Sequence, residues 1–138
     1  MSIILALDSV KIKLKQGGVK MPTLEEKVEQ IVNTLGTLRD VRGVAVANTD
    51  GFVIASKFFA GDIPEEKFAG MVSESVSYYK RILDEVGAGH VKSAIVEGEK
   101  GKIALIVVGD FIVIILGGPD LNLGLARSTL QEVAKDLE

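Results

Sequence analysis

The sequence has 138 residues, with 16 lysines and arginines, 19 aspartates and glutamates, a net charge of −3, one histidine and no cysteine. This length predicts one domain whose core is large enough to fold without a metal or a disulfide. The lack of cysteine excludes thiol catalysis and cysteine-based zinc sites, and one histidine excludes a histidine-cluster metal site. The acidic balance provides no basic surface for nucleic acid.

The mean hydropathy of +0.32 is high for a chain of 14.7 kDa. Either the interior is large, or apolar surface is buried against a partner, and we favour the partner. No stretch has the length of a membrane span, and no basic residue precedes the first apolar run as in a secretory signal. The expected location is the cytoplasm, and scarce asparagine and glutamine beside abundant lysine and glutamate favour a thermophilic source.

The first twenty residues are predicted to be a β extension, with the main domain spanning residues 21–138. Ser9–Lys15 alternates apolar residues with lysines, which is typical of a one-sided edge strand that resists further pairing. A short basic patch for an acidic partner is the alternative. Met21 stands directly before a helix cap, so translation starting there would give the domain without this extension.

The first helix begins with a capping box. Thr23 and Glu26 stand three residues apart, so each side chain can accept a hydrogen bond from the backbone N–H of the other residue. Apolar residues then recur at helical spacing, which predicts that one face lies on a core. They are Leu24, Val28, Ile31, Val32, Leu35 and Leu38.

The segment Val41–Ser56 predicts a β-hairpin. Two apolar runs flank Asn48–Gly51, and Asp-Gly is a strong signal for a tight turn. A catalytic role for the Asp50 carboxylate is one interpretation, but the preference of aspartate for tight turns explains this residue better.

A long second helix is predicted from a cap at Asp62, through Pro64 in its first turn, to about Val86. It has one apolar stripe and a second apolar flank beside it, which together are wider than one sheet face needs. The stripe is Phe68, Val72, Val76, Tyr79, Leu83 and Val86, and the flank is Met71, Tyr78 and Ile82. Either the helix is deeply buried or it also packs on a second copy of the chain, and we favour the second copy.

Three strands follow. His90–Glu97 predicts the first of them, and the two apolar runs Ile103–Val108 and Phe111–Leu116 predict a hairpin that turns at Gly109-Asp110. Because both runs are apolar on both faces, layers must cover the hairpin above and below.

The last helix is predicted to begin at a cap on Asp120, and Ala126, Leu130, Val133 and Leu137 form its buried stripe. Gly117-Gly118 before it lacks the spacing of a nucleotide-binding loop.

The predicted order is α-β-β-α-β-β-β-α, which indicates an α+β fold: a three-layer α/β/α sandwich around a mostly antiparallel sheet. This order, the segment VRGVAVANTDGFVIAS and the ending IVIILGGPDLNLGLARSTLQEVAKDL resemble the Roadblock/dynein light chain family over Thr23–Glu138. The resemblance implies a five-stranded sheet in the order 2-1-5-4-3, with the middle helix on one face and the other two helices on the opposite face. The N-terminal strand departs from the family pattern.

The resemblance also implies a homodimer in which the third strand, Val91–Val96, pairs with its twin while the middle helices pack together. Family members bind small Ras-like GTPases or serve as adaptors, and they are not enzymes. We therefore expect a non-catalytic homodimeric platform that binds and regulates a small Ras-like GTPase, with no cofactor or metal. A structural adaptor in a larger complex and a small-ligand sensor are the alternatives. The residues expected at the dimer or partner interface are Met71, Val72, Ser75, Tyr78, Tyr79, Ile82, Lys92, Ala94 and Val96.

Overall fold

A computed structural model describes residues 21–59 and 61–138 of the chain. The predicted strand over Ser9–Lys15 and the proposed domain boundary after residue 20 lie outside the described residues. The elements are α1 (Leu24–Leu35), β1 (Val41–Asn48), β2 (Val53–Phe58), α2 (Glu65–Glu85), β3 (Ser93–Glu97), β4 (Lys102–Val108), β5 (Phe111–Gly117) and α3 (Leu123–Ala134), which runs into a short 3-10 turn (Lys135–Leu137). The predicted order of elements is confirmed.

The sheet has five strands in the order β2-β1-β5-β4-β3, and every neighbouring pair is antiparallel. This confirms the expected order. β5 lies at the centre, where Ile115 pairs with Val44 of β1 on one side and with Ala104 of β4 on the other. β2 and β3 form the two edges of the described sheet.

The central strand is buried on both faces, as its sequence predicts. Val113 and Ile115 belong to the apolar cluster under α1 and α3, whereas Ile112 and Ile114 belong to the cluster under α2. All four are 0% exposed. The sheet is therefore the middle layer of a three-layer sandwich, with α2 alone on one face.

The capping box of α1 is present. Thr23 N–H donates to Glu26 Oε1 at 2.9 Å, and Glu26 N–H donates to Thr23 Oγ1 at 3.1 Å. The two reciprocal bonds satisfy N–H groups that have no partner within the helix.

The predicted cap of α2 is wrong. The N-cap is Pro64 in an extended conformation, the helix begins at Glu65, and no side chain of residues 21–59 or 61–138 caps it. Because a proline disfavours the helical conformation in the residue before it, the helix cannot extend back through Ile63 toward Asp62.

The predicted cap of α3 is also wrong. Asn122 is the N-cap, and its Oδ1 accepts a hydrogen bond from Leu125 N–H at 3.0 Å. Asp120 lies in the preceding turn. The strand predicted from His90 is shorter as well, because β3 begins at Ser93, after Gly89 with its positive φ of 89°.

Candidate functional site

The outward side of α2 is unusually apolar. Its inward residues, including Val72 and Val76, are one helical turn apart and pack on the sheet. Several large apolar side chains point away from that core, and we call them the α2 strip. The strip is Met71 (54% exposed), Tyr78 (57%), Tyr79 (44%), Ile82 (55%) and Val86 (70%). The Arg81 guanidinium lies 5.1 Å from the centre of the Tyr78 ring. This distance is that of a cation–π contact within the α2 strip.

The edge strand β3 lies on the same sheet and is also only partly covered. Ala94 pairs with Leu105 and Val96 pairs with Ile103, so both residues point to the face that α2 occupies. Val96 is 49% exposed there, and Ile95 is 42% exposed on the opposite face. In the described sheet β3 has one neighbouring strand, β4, so its other backbone edge is open for pairing.

The structure places most of the residues predicted for the interface at the surface. Met71, Tyr78, Tyr79, Ile82, Lys92 and Val96 are exposed, whereas Ser75 and Ala94 are half-buried. Ser75 Oγ donates to the carbonyl oxygen of Val72 at 2.8 Å, so its hydroxyl is turned back onto the helix.

Val72 differs from the other predicted interface residues. It is 7% exposed and packs in the core with Ala45 and Ile114. Val72 therefore packs α2 against the sheet and leaves almost no surface for a partner to contact. The sequence pattern could not show this, because the stripe and the flank of α2 are adjacent on the helix.

A second apolar patch at the opposite edge of the sheet was not predicted. Phe52, Ile54 and Phe59 are exposed along β2 and the residues beside it. Lys57 Nζ lies 5.9 Å from the centre of the Phe59 ring. Phe52 and Ile54 lie in the predicted hairpin, whereas Phe59 lies beyond it, and the sequence analysis assigned none of them to an apolar patch.

Within residues 21–59 and 61–138, no group of three histidine, cysteine, aspartate or glutamate side chains is placed to hold a metal ion. None of the described helices is long and apolar enough to cross a lipid bilayer.

The sequence profile of the Roadblock/LC7 domain matches residues 27–117. The chain belongs to the Roadblock/LC7 family. The matched residues include α2 and β3, so both parts of the apolar surface lie within the family domain.

The chain is also similar to a curated protein in sequence and to solved structures in fold. The Roadblock/LC7 chain is 29% identical to the uncharacterized protein MJ1340 of Methanocaldococcus jannaschii over 111 residues, which cover 80% of this chain and 96% of that protein. Its fold is similar to that of Myxococcus xanthus MglB, with a TM-score of 0.77 and 18% identity over 86% of this chain and 90% of MglB. An MglB structure with a tetrameric arrangement gives a TM-score of 0.75 and 15% identity over 85% of this chain and 90% of that chain.

Proposed function

We propose that this Roadblock/LC7 domain is a non-catalytic homodimeric platform in the cytoplasm that binds and regulates a small Ras-like GTPase. The observation that carries the proposal is the α2 strip beside the open edge of β3. Large apolar side chains are exposed on the helix, and among the described residues the outer edge of β3 on the same sheet has no partner strand. Monomeric proteins rarely leave such surfaces uncovered, because exposed apolar patches and free strand edges promote association.

A second copy of the chain matches both features. A two-fold axis beside β3 would pair each β3 with its twin as antiparallel strands and bring the two α2 strips together. Tyr78 and Tyr79 are the expected centres of binding energy, because tyrosine combines a large apolar ring with a polar hydroxyl. Fully burying one large apolar side chain contributes about 1.5–3 kcal/mol, so several are needed to offset the entropy lost on association.

The GTPase is the partner that family membership favours. A platform without catalytic groups of its own would act by binding one conformation of the GTPase switch loops more tightly than the other. It would thereby position the catalytic groups of the GTPase itself and change the rate of nucleotide hydrolysis. MglB has been observed in a tetrameric arrangement, so a protein of this fold can assemble beyond a single copy.

The dimer is tested by light scattering and sedimentation of the wild-type chain and of Ile82→Glu and Leu125→Glu. Ile82 belongs to the α2 strip, whereas Leu125 is equally apolar and exposed but lies on α3, across the sheet. We expect wild type and Leu125→Glu to be dimers, and Ile82→Glu to be a folded monomer with the chain mass of 14.7 kDa. A wild-type chain that stays monomeric at high concentration would overturn the proposed dimer.

The GTPase is tested by titrating the chain with Ras-like GTPases of the source organism, each loaded with GDP or with a non-hydrolysable GTP analogue. We expect one GTPase to bind with a clear preference for one nucleotide state, and its hydrolysis rate to change. Failure to bind any of them in either state would instead favour the structural adaptor.

A further inference from the structure

A cavity of about 610 Å³ opens beside α2, on the face of the sheet that this helix covers. It lies between the middle of α2, the loop that precedes β3, and the turns at the adjoining ends of β1 and β4. A volume of this size is typical of pockets that hold small molecules. Its lining residues are Thr49, Val76, Ser77, Lys80, His90, Val91, Lys92, Val107, Gly109 and Asp110.

The lining combines an apolar part with polar groups that come from separate elements. Val76, Val91 and Val107 contribute the apolar part, one each from α2, the loop before β3, and β4. Ser77 and Lys80 are three residues apart on α2 and therefore lie on the same side of the helix.

The charges in the cavity are unequal. Lys80 and Lys92 are two basic residues of the lining, and Asp110 is its single acidic residue. His90 adds a ring nitrogen that can donate a hydrogen bond, and the Thr49 hydroxyl can donate another. A cavity with this lining attracts an anion.

Ser77 Oγ donates to the carbonyl oxygen of Ser73 at 3.3 Å, but the three basic side chains of the lining are not used by the fold. In the part of the chain that the structure describes, the side chains of Lys80, His90 and Lys92 make no hydrogen bond or ion pair. Other basic side chains are engaged: Lys102 Nζ donates to the carbonyl oxygen of Leu121 at 3.1 Å, and Arg42 Nη1 donates to that of Lys100 at 3.1 Å. Several polar residues around one concave site are characteristic of a binding pocket.

We propose that this cavity binds a small organic anion, a phosphate ester or a carboxylate that carries an apolar group. Its charged end lies between Lys80 and Lys92, where an ammonium group serves as a point-charge donor to oxygen anions. Its apolar group packs on the three valines. This binding site does not depend on the proposed GTPase. Lys92 is also among the residues expected at the dimer interface, so one wall of the cavity adjoins the β3 edge that the proposed dimer would use.

The test uses phenyl phosphate as the probe and phenol as its uncharged counterpart. Each is titrated into the full wild-type chain, and backbone amide chemical shifts are followed by NMR. We expect phenyl phosphate to produce saturable shifts at Ser77, Lys80, Val91 and Gly109, and phenol to produce much weaker ones. Shifts of equal size with both probes would show an apolar cleft without anion recognition and would overturn the proposal.

A matched pair of double variants separates the site from general surface charge. Lys80→Gln with Lys92→Gln removes both ammonium groups of the cavity, whereas Lys100→Gln with Lys135→Gln removes two exposed lysines elsewhere. The first pair should weaken phenyl phosphate binding by about tenfold or more, because hydrogen bonds to charged groups are lost. The second pair should leave the affinity unchanged. Equal affinities in the two variants, or no saturable binding to wild type, would refute the site.

Discussion

The carboxylate of Asp40 accepts a hydrogen bond from the backbone N–H of Asp120, with Oδ2 and N 2.8 Å apart. The backbone carbonyl of Asp40 also accepts from Gly118 N–H at 2.9 Å. Asp40 has a φ of 63°, a left-handed conformation that aspartate tolerates better than most residues. Asp40, the residue before β1, therefore holds the connection between α1 and β1 against the connection between β5 and α3.

Gly118→Ala should destabilise the protein. A Cβ at Gly118 would overlap the Asp40 carboxylate, so the hydrogen bond between Asp40 and Asp120 must lengthen or break. We expect the free energy of unfolding to fall by about 1–3 kcal/mol, as for other overpacked sites, measured by urea denaturation. Gly70→Ala is the control. No atom of the described residues lies within 4 Å of a Cβ at this position in α2, so helix propensity should raise stability by up to about 1 kcal/mol. A Gly118→Ala variant as stable as wild type would contradict the close contact between Gly118 and the Asp40 carboxylate.

Thr23→Ala should cost about 1 kcal/mol of stability, because it removes the hydroxyl that caps α1. Asp62→Ala should change stability by no more than about 0.5 kcal/mol, because Asp62 does not cap α2. Both are measured by thermal and urea unfolding at equal protein concentration. If Asp62→Ala loses as much stability as Thr23→Ala, Asp62 caps α2 after all.

Val72→Glu and Ile82→Glu should behave differently, although both change an apolar residue of α2 to glutamate. Val72 is 7% exposed and Ile82 is 55% exposed. A carboxylate at residue 72 must either lie in the core without a partner or force the helix off the sheet, so the domain should lose its cooperative unfolding transition. A carboxylate at residue 82 stays in water, so the fold should persist while self-association is lost. Circular dichroism melts together with light scattering separate these outcomes, and an intact Val72→Glu fold would contradict the burial of this position.

Short-range signals predicted most of the elements. Two apolar runs around Gly109-Asp110 and the Asp-Gly turn at Gly51 each needed only a few neighbouring residues to define a hairpin. The sheet order could not be derived in this way, because nothing local indicates that β1 pairs with β5. It came from the resemblance to the family.

The incorrect caps share one cause. Asp62 and Asp120 are both capping residue types near a helix start, but Pro64 delays α2, and α3 begins only after Asn122. The sequence favoured the first residue of a capping type as the N-cap, but the backbone becomes helical only after a later residue. The cavity beside α2 could not be predicted at all, because its lining comes from segments that only the folded sheet brings together.

The pairing of Val44 with Ile115 has a consequence for how the protein is made. β1 is synthesised well before β5, so one of its two edges has no partner strand until β5 has also left the ribosome. Until then the valines of β1 are exposed, because the core that buries them has not formed. Nascent chains in this state tend to aggregate. Chaperone binding to the nascent domain is therefore expected until β5 has emerged and paired with β1.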